Sequence, residues 1–238
     1  SIYFANPGAD GDFSSYCFHW GDFNNEPVNY WKDVIRYLLY IPMAHQLIGF
    51  YTVADGKDNT LKVMRSYQYF AAAGISERVK HAKWDKRGSR GGYVWHTTGS
   101  GKTMTSFKSA QLIADSKDAD KVIFLMDRIE LGTQSLKEYR GFADENEDVQ
   151  ATENTNVLIS KLKSCDPADT LIVTSIQKMS NIKDEEGGLN ARDIEMIGDK
   201  RMVFIVDEAH RSTFGDMLIT IKKTFPKAMF FGFTGTPI

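Results

Sequence analysis

Only two cysteines, Cys17 and Cys165, occur in the 238 residues, so no disulfide framework is available, and the simple reading is a reducing, cytoplasmic setting. The five histidines are scattered and lack metal-ligand spacing. No run approaches the roughly 18 uninterrupted apolar residues of a membrane helix, so no membrane partner is expected. A formal net charge of −2 provides no global field for a polyanion, and any nucleic-acid contact has to be local. What remains is an ordinary globular composition, 42% hydrophobic and 25% charged, long enough for one large domain or one domain plus a piece of another. The chain opens without Met and ends on Thr234-Gly235-Thr236-Pro237-Ile238, so an excerpt of a longer polypeptide is expected.

From about residue 61 onward, strand and helix patterns alternate. Strands are expected at 93–96, 122–126, 171–174, 202–206 and 229–233, and helices near 102–116, 129–140, 155–163 and 213–223. This alternation predicts an α/β fold, a parallel sheet with right-handed crossovers and helices on both faces. The stretches 144–153 and 183–188 read as surface loops. Residues 1–60 differ. Gly/Asp/Asn-rich loops at 6–13 and 21–27 precede an apolar pattern over 28–50, read as two helices around Pro42. We divide the chain into 1–60, the tail of an upstream domain and a linker, and 61–238, the α/β domain. A membrane-surface helix at 28–50 is disfavoured because its polar face lacks a Lys/Arg surplus.

The most specific signal is His96-Thr97-Thr98-Gly99-Ser100-Gly101-Lys102-Thr103 between a strand and a helix. That passage aims backbone N–H groups and a helix N-terminus at one point, which is an anion site. Gly99 and Gly101 allow the tight turn and the close approach of phosphate oxygens. Thr98, Gly99, Ser100 and Gly101 form the cradle. Lys102 is expected to reach the β- and γ-phosphates and Thr103 to ligate Mg²⁺. The usual pattern opens with Gly where this chain has His96. The substitution falls at the strand end, away from the phosphate-wrapping half, and is expected to be tolerated. On the helix that follows, Met104, Phe107, Ala110, Ile113 and Ala114 form the buried face.

The second signal is Asp207-Glu208-Ala209-His210 after the apolar run 202–206, a strand covered on both faces. Ligands of open α/β sheets bind at the carboxyl ends of strands, where both motifs fall. Asp207 is expected to hold Mg²⁺ through water and Glu208 to orient and deprotonate the hydrolytic water. A surface acidic turn is the bland reading, and the phosphate loop weighs against it.

Further segments narrow the class: Tyr67-Gln68 upstream of the loop, Asp127-Arg128 through Gln134, Thr174-Ser175-Ile176-Gln177-Lys178, and Thr234-Gly235-Thr236-Pro237. With them, residues 61–238 resemble the first RecA-like motor domain of superfamily-two helicases and translocases. Their wording is similar to that of the endonuclease-and-motor subunit of type I restriction enzymes. The resemblance implies ATP as the nucleotide, with Gln68 reading the adenine edge. It implies that Arg128, Gln134, Thr174 and Gln177 touch the DNA backbone, and that Thr234 and Thr236, with His210 as partner, couple nucleotide state to DNA grip. Thr133 and Ser175 would otherwise serve as helix caps. The basic stretch Lys80-His81-Ala82-Lys83 with Lys86, Arg87 and Arg90 is weighed as a solvated face.

The resemblance also implies that residues 1–60 end a nuclease domain whose cutting residues lie upstream, since no acid–acid–lysine group is found here. A second RecA-like domain, which would supply arginine fingers, is not found before Ile238, so slow turnover by this chain alone is expected. The function expected is ATP-dependent translocation of double-stranded DNA before cleavage by a separate domain, with methyltransferase and specificity subunits as partners. A type III restriction motor or another DNA helicase stays open as an alternative. So does a nucleotide-gated DNA-binding module with little hydrolysis.

Overall fold

The computed structural model describes residues 3–5, 17–55, 60–84, 91–97, 99–126, 155–182, 189–207 and 214–235. A first pair of strands, β1 (Tyr3–Ala5) and β2 (Cys17–His19), is antiparallel. The apolar pattern over 28–50 gives a short helix α1 (Trp31–Val34) that runs on as a π-helical turn, Ile35–Leu39, and then α2 (Met43–Gly49). A hairpin not read from the sequence follows, β3 (Thr52–Asp55) with β4 (Thr60–Val63). β4 crosses the 60/61 line expected to separate two domains, and an ion pair joins Lys62 to Asp55 across it.

The α/β region then runs α3 (Ser66–Lys80), β5 (Gly92–Trp95), α4 (Lys102–Ser116), β6 (Lys121–Met126), α5 (Thr155–Lys163), β7 (Leu171–Ser175), α6 (Ile176–Ser180), α7 (Ala191–Gly198), β8 (Met202–Val206), α8 (Phe214–Thr224) and β9 (Met229–Thr234). In this region the strands and helices expected at described positions are all present, within one residue at each end. The helix expected at 129–140 and the loops at 144–153 and 183–188 lie outside the described residues.

Five strands form one sheet in the order β5-β9-β8-β6-β7, and every neighbouring pair is parallel. Parallel central strands are buried on both faces, so their side chains divide alternately between two cores. On β6, Ile123 and Leu125 join one core while Val122, Phe124 and Met126 join the other. The second core is closed by Ile75 and Val79 of α3 and by Phe107, Ala110 and Ile113 of α4. The first is closed by α5, α6, α7 and α8 through Leu158, Met179, Ile197 and Ile221. At the edge strand β5, Tyr93 and Trp95 are exposed.

A third, smaller core holds Trp20, Val34, Leu38 and Leu47, with Tyr51, Val63 and Tyr69 against it. Trp20 lies 5.9 Å from Tyr69 and 6.3 Å from Phe70, ring to ring, and Gly21 N–H donates to Ser66 Oγ at 3.1 Å. The N-terminal segment therefore packs on the first turns of α3. Burial in this stack pushes the Tyr51 hydroxyl up to about 12. Among the described residues no helix is long and apolar enough to cross a membrane.

Candidate functional site

In a sheet whose described strands all run the same way, the carboxyl ends gather at one edge. Here that edge collects the loop after β5, Asp207 after β8, Thr234 at the end of β9 and Ser175 at the end of β7. Gly99 and Gly101 both have φ of 78°, in the left-handed region that residues with a Cβ rarely adopt. Gly101 is the N-cap of α4, so the loop turns and the helix begins without a side chain in the way. A Cβ on Gly101 would stand 2.5 Å from Gln68 Nε2.

Lys102 opens α4 and Asp207 ends β8, and the fold sets Lys102 Nζ 3.7 Å from Asp207 Oδ1. Asp207 is nearly buried, and its backbone N–H donates to Leu125 O at 3.0 Å, which anchors it to the neighbouring strand. A cation on one side and a carboxylate on the other define a place for a polyanion and its counter-ion. Thr103 is half-buried in the same first turn. The Thr105 hydroxyl donates back to Gly101 O at 2.9 Å, which fastens the loop to the helix it precedes. Of the apolar face expected on this helix, Phe107, Ala110 and Ile113 are fully buried, and Met104 and Ala114 are half-buried.

Gln68 stands in the first turn of α3 and is 3% exposed. Its amide is engaged at both ends: Oε1 accepts from Arg65 N–H at 2.9 Å and Nε2 donates to Ser100 O at 3.0 Å. The neighbouring Tyr67 hydroxyl donates to the same carbonyl at 2.8 Å. The upstream glutamine thus grips the phosphate loop directly.

His96 corrects an expectation. It was read as lying away from the phosphate-wrapping half, yet its ring reaches into that half, with Nδ1 2.9 Å from Ser100 Oγ. The ring is buried between Tyr67, edge-on at 5.8 Å, and Phe233 at 6.1 Å. Burial, and then the nearby Lys102 charge, hold its basicity below that of an ordinary histidine, while Asp207 acts weakly the other way. The motif shows which position departs from the usual glycine, but not where a ring placed there would point.

Thr174 is fully buried within β7, so its side chain contributes packing rather than surface. Ser175 caps α6, accepting from Lys178 N–H at 3.2 Å, and Gln177 is half-buried on that helix. Thr234 is fully buried and its carbonyl accepts from His96 N–H at 2.9 Å. Thr98, Arg128, Gln134, Glu208, His210 and Thr236 lie outside the described residues. The structure brings together Gln68, the loop 99–103, Asp207 and Thr234. Gln177 belongs to the next element along the same edge.

A parallel sheet with a glycine-hinged anion loop, a lysine and a carboxylate at its carboxyl edge defines a phosphate-loop nucleotide-binding lobe. The SWI2/SNF2 ATPase family model matches residues 67–238. An endonuclease subunit of a type I restriction enzyme from Staphylococcus saprophyticus is 38% identical over 229 residues, covering 96% of this chain and 23% of that one. The C-terminal part of a putative type I restriction enzyme endonuclease subunit from Mycoplasma pneumoniae is 37% identical over 210 residues, covering 87% of this chain and 99% of that one. Among solved structures, the UvsW helicase of bacteriophage T4 shares the fold at a TM-score of 0.50 and 14% identity, over 81% of this chain and 58% of that one. The SWI2/SNF2 ATPase core of Sulfolobus solfataricus, in complex with double-stranded DNA, does so at 0.50 and 16%, over 81% and 34%. The chain belongs to the SWI2/SNF2 ATPases and, within them, to the endonuclease subunits of type I restriction enzymes. It spans less than a quarter of the length of the Staphylococcus saprophyticus relative.

Proposed function

We propose that this chain is the first motor lobe of an ATP-driven double-stranded DNA translocase within a type I restriction endonuclease. The observation that carries the reading is Lys102 Nζ facing Asp207 Oδ1 across 3.7 Å, beside a loop whose two glycines are both left-handed. That arrangement offers a cation and backbone N–H groups to phosphate oxygens and a carboxylate to a counter-ion. Lys102 would leave the carboxylate for the β- and γ-phosphates as the nucleotide enters.

The donor set fits magnesium, a hard cation that takes oxygen ligands: the Thr103 hydroxyl, from the first turn of α4, and the Asp207 carboxylate, from the end of β8, would hold it. When bound, it would neutralise charge on the phosphates. Glu208, adjoining Asp207 in sequence, orients and deprotonates the attacking water. Gln68 reads the adenine edge, which requires exchanging its present bond to Ser100 O for one to the base. Arg128, Gln134 and Gln177 contact DNA phosphates, which positions the duplex without reading its sequence. Thr174 belongs with this group only by resemblance, given its burial. Thr234, Thr236 and His210 couple nucleotide state to DNA grip.

In the whole enzyme a second lobe closes on the nucleotide, a separate domain cuts the DNA, and methyltransferase and specificity subunits find the target. Glu208→Gln in the intact enzyme tests hydrolysis. DNA-stimulated ATP turnover is expected to fall by about 10²–10³-fold while ATP binding persists. Turnover at the parent rate would favour a nucleotide-gated DNA-binding module.

A further inference from the structure

The hydrogen bonds around Ser100 leave one consistent assignment of protons. Ser100 Oγ lies 2.7 Å from Thr97 O and 2.9 Å from His96 Nδ1. A hydroxyl has one proton, and a carbonyl oxygen has none to give. The hydroxyl therefore donates to Thr97 O, and Nδ1 has to carry a proton and donate to Oγ. The Ser100 carbonyl accepts from both Tyr67 and Gln68, and its N–H donates to Thr97 O at 3.2 Å. Every polar atom of Ser100 is thus held by the protein.

The ring that supplies the Nδ1 proton is itself fixed from the other side of the loop. His96 N–H bonds the carbonyl of Thr234, and Phe233 packs against the imidazole. A glycine at position 96 would keep the backbone bond to Thr234 but lose the ring's contacts with Ser100 Oγ and Phe233. We propose that His96 is a positioning residue: its Nδ1-protonated imidazole, acting on the Ser100 hydroxyl, sets the phosphate loop in its nucleotide-ready shape and ties it to the end of β9. Ser100 then shapes the loop without itself donating to the nucleotide, since its N–H is engaged with Thr97 and its side chain faces the protein. Preset loop amides bind phosphate without first having to be ordered. This inference rests on the nucleotide-binding reading of the loop.

The test is a substitution series in the full chain, read by binding of magnesium with a slowly hydrolysed, fluorescent ATP analogue and, in parallel, by melting midpoint. His96→Leu and His96→Gln should each weaken binding about three- to tenfold, the worth of one net hydrogen bond. His96→Asn, whose amide nitrogen sits where Nδ1 does, should stay within about twofold of the parent despite its smaller volume. Ser100→Ala should match the Leu loss, and the Leu/Ala double variant should be no weaker than either single one. Asn binding as poorly as Leu, or losses that add in the double variant, would overturn the proposal and leave His96 as packing. If His96→Leu fails to fold, Asn against Gln and Ser100→Ala still decide. Lys102→Ala separates the two levels. Binding lost there with a flat His96 series removes only the positioning role, whereas normal binding there removes the nucleotide reading and this inference with it.

Discussion

At the carboxyl edge of the sheet, Lys102 reaches across to Asp207 at 3.7 Å and keeps part of its side chain open to solvent. At the amino edge, where β6 begins, Lys121 is 2% exposed and donates to Asp169 O at 2.6 Å. Next to it Lys200 donates to the carbonyls of Leu162, Lys163 and Ser164, and Arg201 pairs with Asp120 at 2.7 Å. Each edge places lysine ammonium groups near the ends of parallel strands. At the amino edge the chain's own carbonyls and carboxylates satisfy them, including three beside the C-terminus of α5, where a cation is favoured. At the carboxyl edge the lysine faces a carboxylate across a gap beside an anion-binding loop. On the proposed function, the amino-edge lysines are structural cations and Lys102 is the one that exchanges its carboxylate for nucleotide phosphates.

The sharpest way to break this contrast is to remove Lys102. Lys102→Ala in the intact enzyme should lower DNA-stimulated ATP turnover by about 10²–10³-fold, because a charge aimed at the developing phosphate charge is lost. The melting midpoint should move by only a few degrees. Unaltered turnover would dissolve the distinction between the two edges. Gly101→Ala comes next. Its φ of 78° is strained for alanine, and the new Cβ would meet Gln68 Nε2 at 2.5 Å. Either the loop or the Gln68 side chain has to shift. Nucleotide affinity should fall about 10–100-fold, and Gly101→Ala/Gln68→Ala should recover toward the level of Gln68→Ala alone where the collision rather than the strain dominates. Titration of a fluorescent nucleotide checks both.

Most of the sheet was legible in the sequence, for a physical reason. Strands buried on both faces are continuous apolar runs, so 202–206 needed no tertiary information, and α4 began and ended where a phosphate loop and a loss of periodicity place it. The hairpin Thr52–Asp55/Thr60–Val63 was missed because each strand has four residues and its packing partners come from elsewhere in the chain. The helices around Pro42 were seen but overextended, since an apolar pattern does not show where a helix changes to a π turn. At the site, residue types announced Lys102 and Asp207. Tyr67 and His96 stood within the motifs, but their joint hold on Ser100 was not legible, because it depends on a helix and a strand end meeting there. Lys121 was missed for the opposite reason: a lysine opening a strand reads as a solvated residue, and only the packing of the amino edge buries it.

That burial gives the smallest predicted effect and the one confined to the amino edge. Burial first, and the nearby Lys200 charge second, push the Lys121 ammonium from 10.5 down to about 8 in the folded chain, while Asp169, Cys165 and Asp166 act in the opposite direction. Between those two values the unfolded chain holds a proton that the folded chain has released. Stability therefore rises with pH through this window. Below it, both states are protonated and the folded state carries the full cost of a buried ammonium. Lys121→Met removes the titration, so comparing it with the parent cancels every other group to first order. From pH 7 to pH 10 the difference in unfolding free energy should move by about 1–2 kcal/mol in favour of the parent, measured by denaturant titration. Nucleotide affinity of the Met variant should equal that of the parent at pH 7, since Lys121 lies at the opposite edge from the loop. A pH-independent gap would mean that Lys121 is solvated in the folded chain, and the two edges would then differ less than their geometry implies.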